Sequence, residues 1–413
     1  MPGMSWRIAI AGCGIGGLAA ALLCRRDGHR VTVYERFGVP RPVGAGLILQ
    51  PPGLAVLHEL GLGEQVRQRA ARLDRLFGKA MPSGRVVLDV RYSALVPGGQ
   101  FGLGVHRATL FEALYDATVA AGIRIETNHT VVSSHVSGGG RVLAFDAGEA
   151  SAPFDLVVDA LGTRSPLAPP CGRELDYGAL WTNVEWLEDA GFDAAALEQR
   201  YRAASVMVGV MPVGTPPRAT APQATLFWSI RADRFDAWRA AGLAAWKTDV
   251  ERLWPQTAPL LAQITSIEQL TFARYAHRTL PRAVEERLIH IGDAWRSTSP
   301  QLGQGANMAL LDACALALAL RSQRDLTAAL DMAAALRRFH VRLYQVLSAL
   351  FTPVYQSDSR VLPMLRDRLV GPLSKLWPAT RILATLVSGR LGDPQRALGL
   401  AATGRYRSAR SIS

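Results

Sequence analysis

Residues Ile8 to Arg36 read IAIAGCGIGGLAAALLCRRDGHRVTVYER, and no other stretch restricts the fold as strongly. Ile8 to Ala11 is a short apolar run suited to a strand buried on both faces, and Gly12, Gly14 and Gly17 follow it in the spacing G-x-G-x-x-G. Gly12 permits the tight turn, Gly14 lets backbone approach a pyrophosphate, and Gly17 lets the next helix pack closely on the strand. The pattern predicts a helix from Ile15 to Arg26 whose first N–H groups, beginning at Ile15 and Gly16, face that anion. Val31 to Tyr34 is the second strand of the βαβ unit. It runs into Glu35, whose carboxylate can accept hydrogen bonds from ribose hydroxyls, and Arg36 follows.

A chain of 413 residues is long enough for two or three domains. With 49% hydrophobic and 19% charged residues it is globular in composition. Cys13, Cys24, Cys171 and Cys314 lie far apart with no C-x-x-C pair, which argues against a zinc site or a disulfide framework and for a reducing, cytoplasmic setting. The first strand begins almost at once, with no leader-like segment before it, and no apolar run is long enough to span a bilayer. The net charge of +12 is carried almost wholly by arginine. From Arg360 to Ser413 ten Arg or Lys face only Asp367 and Asp393. That segment reads either as a solvated tail or as a weak peripheral contact with an anionic membrane. Nucleic acid is not an expected partner, because no binding motif accompanies the charge.

Along the chain, Pro52 to Leu60 predicts a short helix, Arg85 to Val90 a strand outside the nucleotide core, and Ala108 to Ala121 a helix preceded by Arg107. Arg107 is a candidate cation for a cofactor phosphate. Asp155 to Ala160 is a buried strand. From Cys171 to about Thr271 strands alternate with helices around Arg234 to Trp246 and Val250 to Trp254, and the block holds six of the nine tryptophans. Arg287 to Ile291 is again a core strand, followed by long helices at Ala306 to Arg321 and Leu326 to Ser348, then fragments broken by Pro363, Pro372 and Pro378. These features give an α/β chain in three parts. A discontinuous Rossmann-like domain with a central parallel sheet takes 1–75, 101–170 and 272–345, an inserted mixed β-sheet substrate domain takes 76–100 and 171–271, and a C-terminal helical segment takes 346–413.

Asp293 stands at the C-terminal end of a core strand, beside a loop rich in glycine and small residues (GDAWRSTSPQLGQGANMALLDA), the place where ligands bind in such sheets. Three separated motifs together resemble the group A flavoprotein monooxygenases of the para-hydroxybenzoate hydroxylase type: Ile8 to Arg36, Asp155 to Ser165, and Gly292 to Asn307. Arg107 and the Gly44 to Gly53 loop are also similar to that family. The resemblance implies FAD held by Gly12, Gly14, Ile15, Gly16, Gly17, Glu35, Arg36 and Arg107 at its ADP end. Asp293 and the loop Leu302, Gly303, Gln304, Gly305, Ala306 and Asn307 would hold its flavin end. It implies a monooxygenase that inserts one atom of O2 into an aromatic or polyunsaturated small molecule, by hydroxylation or epoxidation, through a flavin C4a-hydroperoxide. Backbone near Pro300 and Gly303 would stabilise charge, and Arg296 would serve as a polar pocket residue.

Two departures from the family pattern bear on function. Its middle motif usually reads Gly-Ala-Asp-Gly, whereas Asp159-Ala160-Leu161-Gly162 puts a leucine at the usual acid. Its Gly-Asp motif normally continues Ala-Ala-His, and here Ala294, Trp295 and Arg296 follow. NAD(P)H is the expected reductant, but Leu161 keeps open a separate flavin reductase as electron donor, or a reductase on the same fold. A halogenase is weaker, since the Trp-x-Trp-x-Ile-Pro signature is missing. A non-enzymatic lipid-escort protein is opposed by the intact Gly292-Asp293 loop. No metal site is expected. His106, His277 and His290 are candidates for a base, and each also reads as a core or surface histidine.

Overall fold

The computed structural model describes residues 5–42, 44–95, 99–370 and 376–401. The predicted βαβ unit is present as β1 (Arg7–Ala11), α1 (Ile15–Arg26) and β2 (Arg30–Tyr34). It lies in a six-stranded sheet with β8 (Arg124–Glu126), β11 (Leu156–Asp159), β17 (Val284–Glu285) and β18 (Leu288–His290). The order is β17-β18-β11-β1-β2-β8, parallel throughout except where β17 meets β18. Ile8, Ala9, Ile10 and Ala11 are fully buried, as expected of a strand covered on both faces. Helix α1, α4 (Arg107–Ala120) and α7 (Gly305–Ser322) cover one face. The hairpin β9 (Val131–Ser137) and β10 (Gly140–Phe145) packs on the other.

A three-stranded sheet, β3 (Gly46–Leu49), β7 (Gly102–His106) and β4 (Ala71–Leu73), joins this half to the second. The short helices α2 (Pro51–Glu59) and α3 (Gly63–Gln68) fill the connection between β3 and β4.

The second half is an eight-stranded mixed sheet of β5 (Arg75–Ala80), β6 (Val86–Arg91), β12 (Arg173–Glu185), β13 (Ala196–Arg202), β14 (Val206–Gly214), β15 (Gln223–Arg231), β16 (Thr271–Thr279) and β19 (Arg296–Ser297). The order is β19-β16-β12-β15-β14-β13-β5-β6. Opposed residues share a face. Trp181 pairs with Phe227, and Asn183 with Thr225, on the side that packs toward Leu302 and Trp295. Leu180, Leu226 and Trp228 face α5 (Phe235–Leu253) and α6 (Ala258–Ala262).

Three boundaries differ from the expected ones. The boundary expected at residue 272 falls inside β16, which is a full member of the second sheet and pairs with β12 from Thr271 to His277. The two helices expected near 234–254 are one run, broken at Gly242 and not after Trp246. Gly242 takes a φ of 84° with open space around it, so the one residue without a Cβ penalty absorbs the kink. The helix expected to end at Ser348 is α8 (Leu326–Tyr355), which carries Pro353 close to its last turn. Proline two residues from the helix end removes one hydrogen bond, and Ala349, whose carbonyl loses its donor, is exposed. After α8 come α9 (Val361–Leu365), α10 (Ala379–Val387) and α11 (Pro394–Ala397). Lys375, the break expected at Pro372 and the basic residues Arg405, Arg407 and Arg410 lie outside the described residues.

Candidate active site

The Gly-rich turn has the geometry its sequence implies. Gly12 has a φ of +109°, and a Cβ on it would lie 2.6 Å from the Ala160 carbonyl oxygen. A Cβ on Gly17 would lie 2.0 Å from the Gly12 carbonyl oxygen, whereas one on Gly14 would meet nothing within 4 Å. Gly12 and Gly17 are therefore required by the protein itself. The bare backbone at Gly14 is required by nothing in the fold and leaves room for a ligand to approach. Cys13 N–H donates to Glu35 Oε2 at 3.1 Å and Phe37 N–H to Oε1 at 3.0 Å, which fixes the carboxylate beside the turn with lone pairs to spare. Burial, with Glu35 nearby, pushes the Cys13 thiol up to about 12, so this cysteine is inert. Arg36 is exposed and stacks on Phe37 at 4.6 Å.

Remote segments meet here. An added Cβ on Gly16 or on Gly292 would sit 3.2 Å from Ala309 Cβ, so the first Gly-rich turn and the Gly-Asp turn both rest on α7. Asp293 is exposed to a cleft yet closely walled by protein. Burial raises its carboxyl above the usual range, Arg296 and Arg107 pull it back, and Asp312 adds to the rise. Arg107, at the first turn of α4, has a buried Nε with no hydrogen-bond partner. Burial lowers its pKa while Asp293 acts against that. Among the described residues Arg107 has no ion pair; the residue is half-buried, and its Nε is the atom closed off without a partner. An orphaned cation, an open approach at Gly14 and a carboxylate in a cleft fit a dinucleotide with a diphosphate in its middle.

The loop after Asp293 is clamped. Ser299 Oγ lies 2.6 Å from Thr352 Oγ1 on α8. Pro300 is exposed, Gly303 takes a φ of 61°, and Gly305 and Ala306 open α7, so their N–H groups point into the cleft. Leu302 is buried, a Cβ on Gly303 would sit 3.6 Å from Ile48 Cδ1, and the Gln304 side chain turns away to the carbonyls of Leu302 and Val387. Asn307 is fully buried, and its carboxamide accepts from Gln50 N–H at 2.8 Å and donates to the carbonyls of Ile48 and Gly303 at 3.0 Å. Its side chain is a brace between β3 and the loop, so of Gln304 and Asn307 only backbone is available to a ligand.

Arg296 lines the cleft beside Asp293, Thr298 and Leu302, with its guanidinium committed to protein partners. It is 4% exposed and donates to Asp312 Oδ2 at 2.5 Å and to the Gly292 carbonyl at 3.3 Å, behind the Gly-Asp turn. Asp312 also accepts from Arg337 Nε at 2.9 Å and from Gly292 N–H at 3.0 Å, while Arg337 Nη1 lies 3.1 Å from His340 Nδ1. Burial, helped by Arg337, pushes His340 down to about 2. Sequence alone did not single out Asp312 or Arg337, which sit in helices like any charged helical residue until their partners are known.

The candidate bases are also accounted for. His290 Nδ1 lies 2.7 Å from Asp159 Oδ2, and Asp159 further accepts from Ser165 Oγ at 2.6 Å and Leu161 N–H at 3.0 Å. The aspartate that precedes Leu161 thus ties β11 to β18. His106 caps α4 by accepting Ala108 N–H at Nδ1 at 3.1 Å, and its Nε2 lies 2.9 Å from the Asn183 amide nitrogen. Asn183 meets Thr225 Oγ1 at 2.6 Å, and that hydroxyl accepts Gly46 N–H at 3.0 Å, so one chain of bonds joins the two halves. His277 is half-buried with an unpartnered Nε2, and burial lowers its pKa with Arg173 adding to the effect. Facing the cleft from the sheet, Trp181 Nε1 donates to Tyr275 Oη at 3.0 Å. Among the described residues no cluster suits a metal ion.

A parallel sheet with two Gly-rich turns at its strand ends and a mixed sheet above them defines an FAD-binding oxidoreductase. The family model described as FAD binding domain matches residues 5–333, and the chain belongs to that family, the group A flavin monooxygenases. It is 28% identical over 338 residues to an FAD-dependent urate hydroxylase of Klebsiella pneumoniae, covering 78% of this chain and 83% of that one. It is 27% identical over 340 residues to a 3-amino-4-hydroxybenzoate 2-monooxygenase of Streptomyces cremeus, covering 75% and 77%. Klebsiella pneumoniae HpxO complexed with FAD and uric acid has the same fold, with a TM-score of 0.78 at 22% identity over 94% of this chain and 98% of that one. The chain is an FAD-dependent monooxygenase.

Proposed function

We propose that the enzyme hydroxylates the ring of a small aromatic or heteroaromatic substrate held between the inner face of the eight-stranded sheet and the Pro300–Gly303 loop. The observation that carries this reading is the pair Asp293 and Arg107, two groups of opposite charge left without direct partners in a cleft that opens at Gly14. Glu35 would hold the ribose hydroxyls of FAD, Arg107 its diphosphate and Asp293 its ribityl chain. Bound FAD, once reduced, supplies the activation of O2. The N–H groups of Gly305 and Ala306 at the start of α7 stabilise negative charge at that end of the cleft. Half-buried Trp181, backed by the buried Phe227 ring at 4.9 Å, gives an apolar wall for an aromatic ring and keeps water off it. Tyr275, whose hydroxyl accepts from Trp181 Nε1, offers a neutral hydrogen bond that orients a ring hydroxyl. The relatives that act on urate and on an aminohydroxybenzoate support a hydroxylated ring as substrate. The four cysteines are free thiols, in keeping with a reducing, cytoplasmic setting.

The electron donor has two readings. NADPH reduces the bound flavin directly, or a separate flavin reductase supplies it, and Leu161 with its apolar packing favours keeping the second. The test is anaerobic stopped-flow reduction of the FAD-loaded enzyme by NADPH, with and without hydroxylated aromatics, followed by product analysis under isotopically labelled O2. Direct, substrate-stimulated reduction with one labelled oxygen in the product is the expected result. A protein that does not bind FAD would refute the whole reading.

A further inference from the structure

We propose that the outer face of α8 and the helices after it dock the enzyme on an anionic lipid surface. Large apolar residues that stand exposed are concentrated there. Phe339, Val346 and Leu350 on α8 are 67%, 57% and 63% exposed, and Leu376, Trp377 and Ile382 are 59%, 78% and 57% exposed. Val361, Met364 and Leu365 on α9 add to the same region, whereas only four large apolar side chains, Val39, Val119, Val132 and Val136, are so exposed elsewhere among the described residues.

Helix α8 explains how this arises. Its inner stripe, Arg337, Val341, Tyr344, Ser348 and Thr352, is buried against the Gly-Asp loop and the sheet. The opposite side is ordinary at first, with exposed Thr327, Ala328 and Asp331. From Phe339 it turns apolar, so the helix carries two apolar faces and the protein covers only one. The end of α10 packs against buried residues of α8, and the turn after it, at Gly392, reaches the outer face beside Phe339. Tyr344 Oη donates to the Leu386 carbonyl at 2.6 Å, His340 Nε2 lies 3.0 Å from the Gly389 carbonyl, and a Cβ on Gly392 would touch the Phe339 ring at 3.0 Å.

Charge selects the occupant. Arg338, Arg342, Arg360, Arg368 and Arg381 are exposed in this region and have no ion pair among the described residues. The acids nearby are engaged, Asp358 by Tyr177 and Arg231 and Asp367 by Arg366. A second copy of the chain related by a two-fold axis would bring these arginines against one another. An anionic headgroup layer takes the arginines, while Trp377 and the α8 stripe enter the headgroup and acyl boundary. No described helix is long and apolar enough to cross a membrane, so the contact is peripheral.

The test is co-sedimentation of the full FAD-loaded chain with vesicles of phosphatidylcholine alone and of phosphatidylcholine with phosphatidylglycerol, across a salt series. Binding to the phosphatidylglycerol vesicles that weakens with salt is expected, reduced about tenfold by Leu350→Ser with Trp377→Ser and by Arg338→Glu with Arg342→Glu. All four side chains are exposed, so retained FAD and an unchanged circular dichroism spectrum establish that the variants fold. The proposal is overturned by no binding, by equal binding to neutral vesicles, by equal binding of the variants, or by a dimer in sedimentation velocity that these substitutions dissociate.

Discussion

Arg296 and Arg337 share one carboxylate, that of Asp312, with Arg296 Nη1 at 2.5 Å from one oxygen and Arg337 Nε at 2.9 Å from the other. All three side chains are at least 96% buried, and Arg296 Nη2 has no partner. The cluster holds Gly292 by both its N–H and its carbonyl, immediately before Asp293. Asp312→Asn leaves two guanidinium groups uncompensated and is expected to destabilise the protein by about 3–5 kcal/mol in chemical denaturation. Arg296→Met, which removes the surplus charge and its orphaned nitrogen, is expected to cost less than about 1 kcal/mol. Equal losses in the two variants would show that the pair with Arg337 does not carry the cluster.

The glycines of the first turn separate folding from binding. Gly14→Val adds a side chain where nothing stands within 4 Å, so thermal stability is expected to stay within about 1 °C of the parent's, while FAD affinity falls by about tenfold or more. Gly17→Ala forces a Cβ to 2.0 Å from the Gly12 carbonyl oxygen and is expected to destabilise the apoprotein by about 2 kcal/mol. Calorimetry on the apoprotein and flavin fluorescence titration read the two effects separately.

Arg107 should be a liability until its ligand arrives. Arg107→Met removes a half-buried cation with an unpartnered Nε, and the apoprotein is expected to melt no lower than the parent. The same change is expected to weaken FAD binding by about one to two orders of magnitude, the worth of one charge-assisted contact. A variant that melts lower as apoprotein would contradict this account of the site.

Acid should unfold the protein through His340. Its folded-state pKa is pushed down to about 2 by burial and Arg337, against an ordinary value of 6.5. The unfolded chain therefore binds the proton more readily, and the contribution of the neutral ring is complete above 6.5 and lost as pH falls. Between pH 7 and pH 5 this one group is expected to cost about 2 kcal/mol, and His106, whose pKa burial also lowers, acts in the same direction. Urea denaturation at a series of pH values should show the slope, and His340→Gln should flatten it.

Local rules read the first turn correctly because its constraints are local. β1, α1, the glycines and Glu35 answer to neighbours within one βαβ unit. Gly242 and β16 show where such reading stops. The glycine was visible, but whether it breaks the helix depends on φ, and β16 was not expected as a strand, since its partner β12 lies far earlier in the chain. The polar groups behind the Gly-Asp turn were least legible. Asp312 and Arg337 lie on different helices, and Arg296 looked available to a substrate because nothing in its own segment showed the carboxylate that takes it. Asp159 was noticed as a neighbour of the missing acid at Leu161, while its link to His290 required two strands far apart in sequence to lie side by side.

The strand order β17-β18-β11-β1-β2-β8 also dictates when the cofactor site can exist at all. β1 is made first, yet its neighbour β11 begins at Leu156 and the next, β18, at Leu288. A chain emerging from the ribosome therefore holds the first Gly-rich turn for most of its synthesis beside an unfilled sheet edge. The brace from Asn307 to Gln50 can close only when α7 has emerged. The cofactor site is therefore complete only when residues from both ends of this sheet's sequence span have come together.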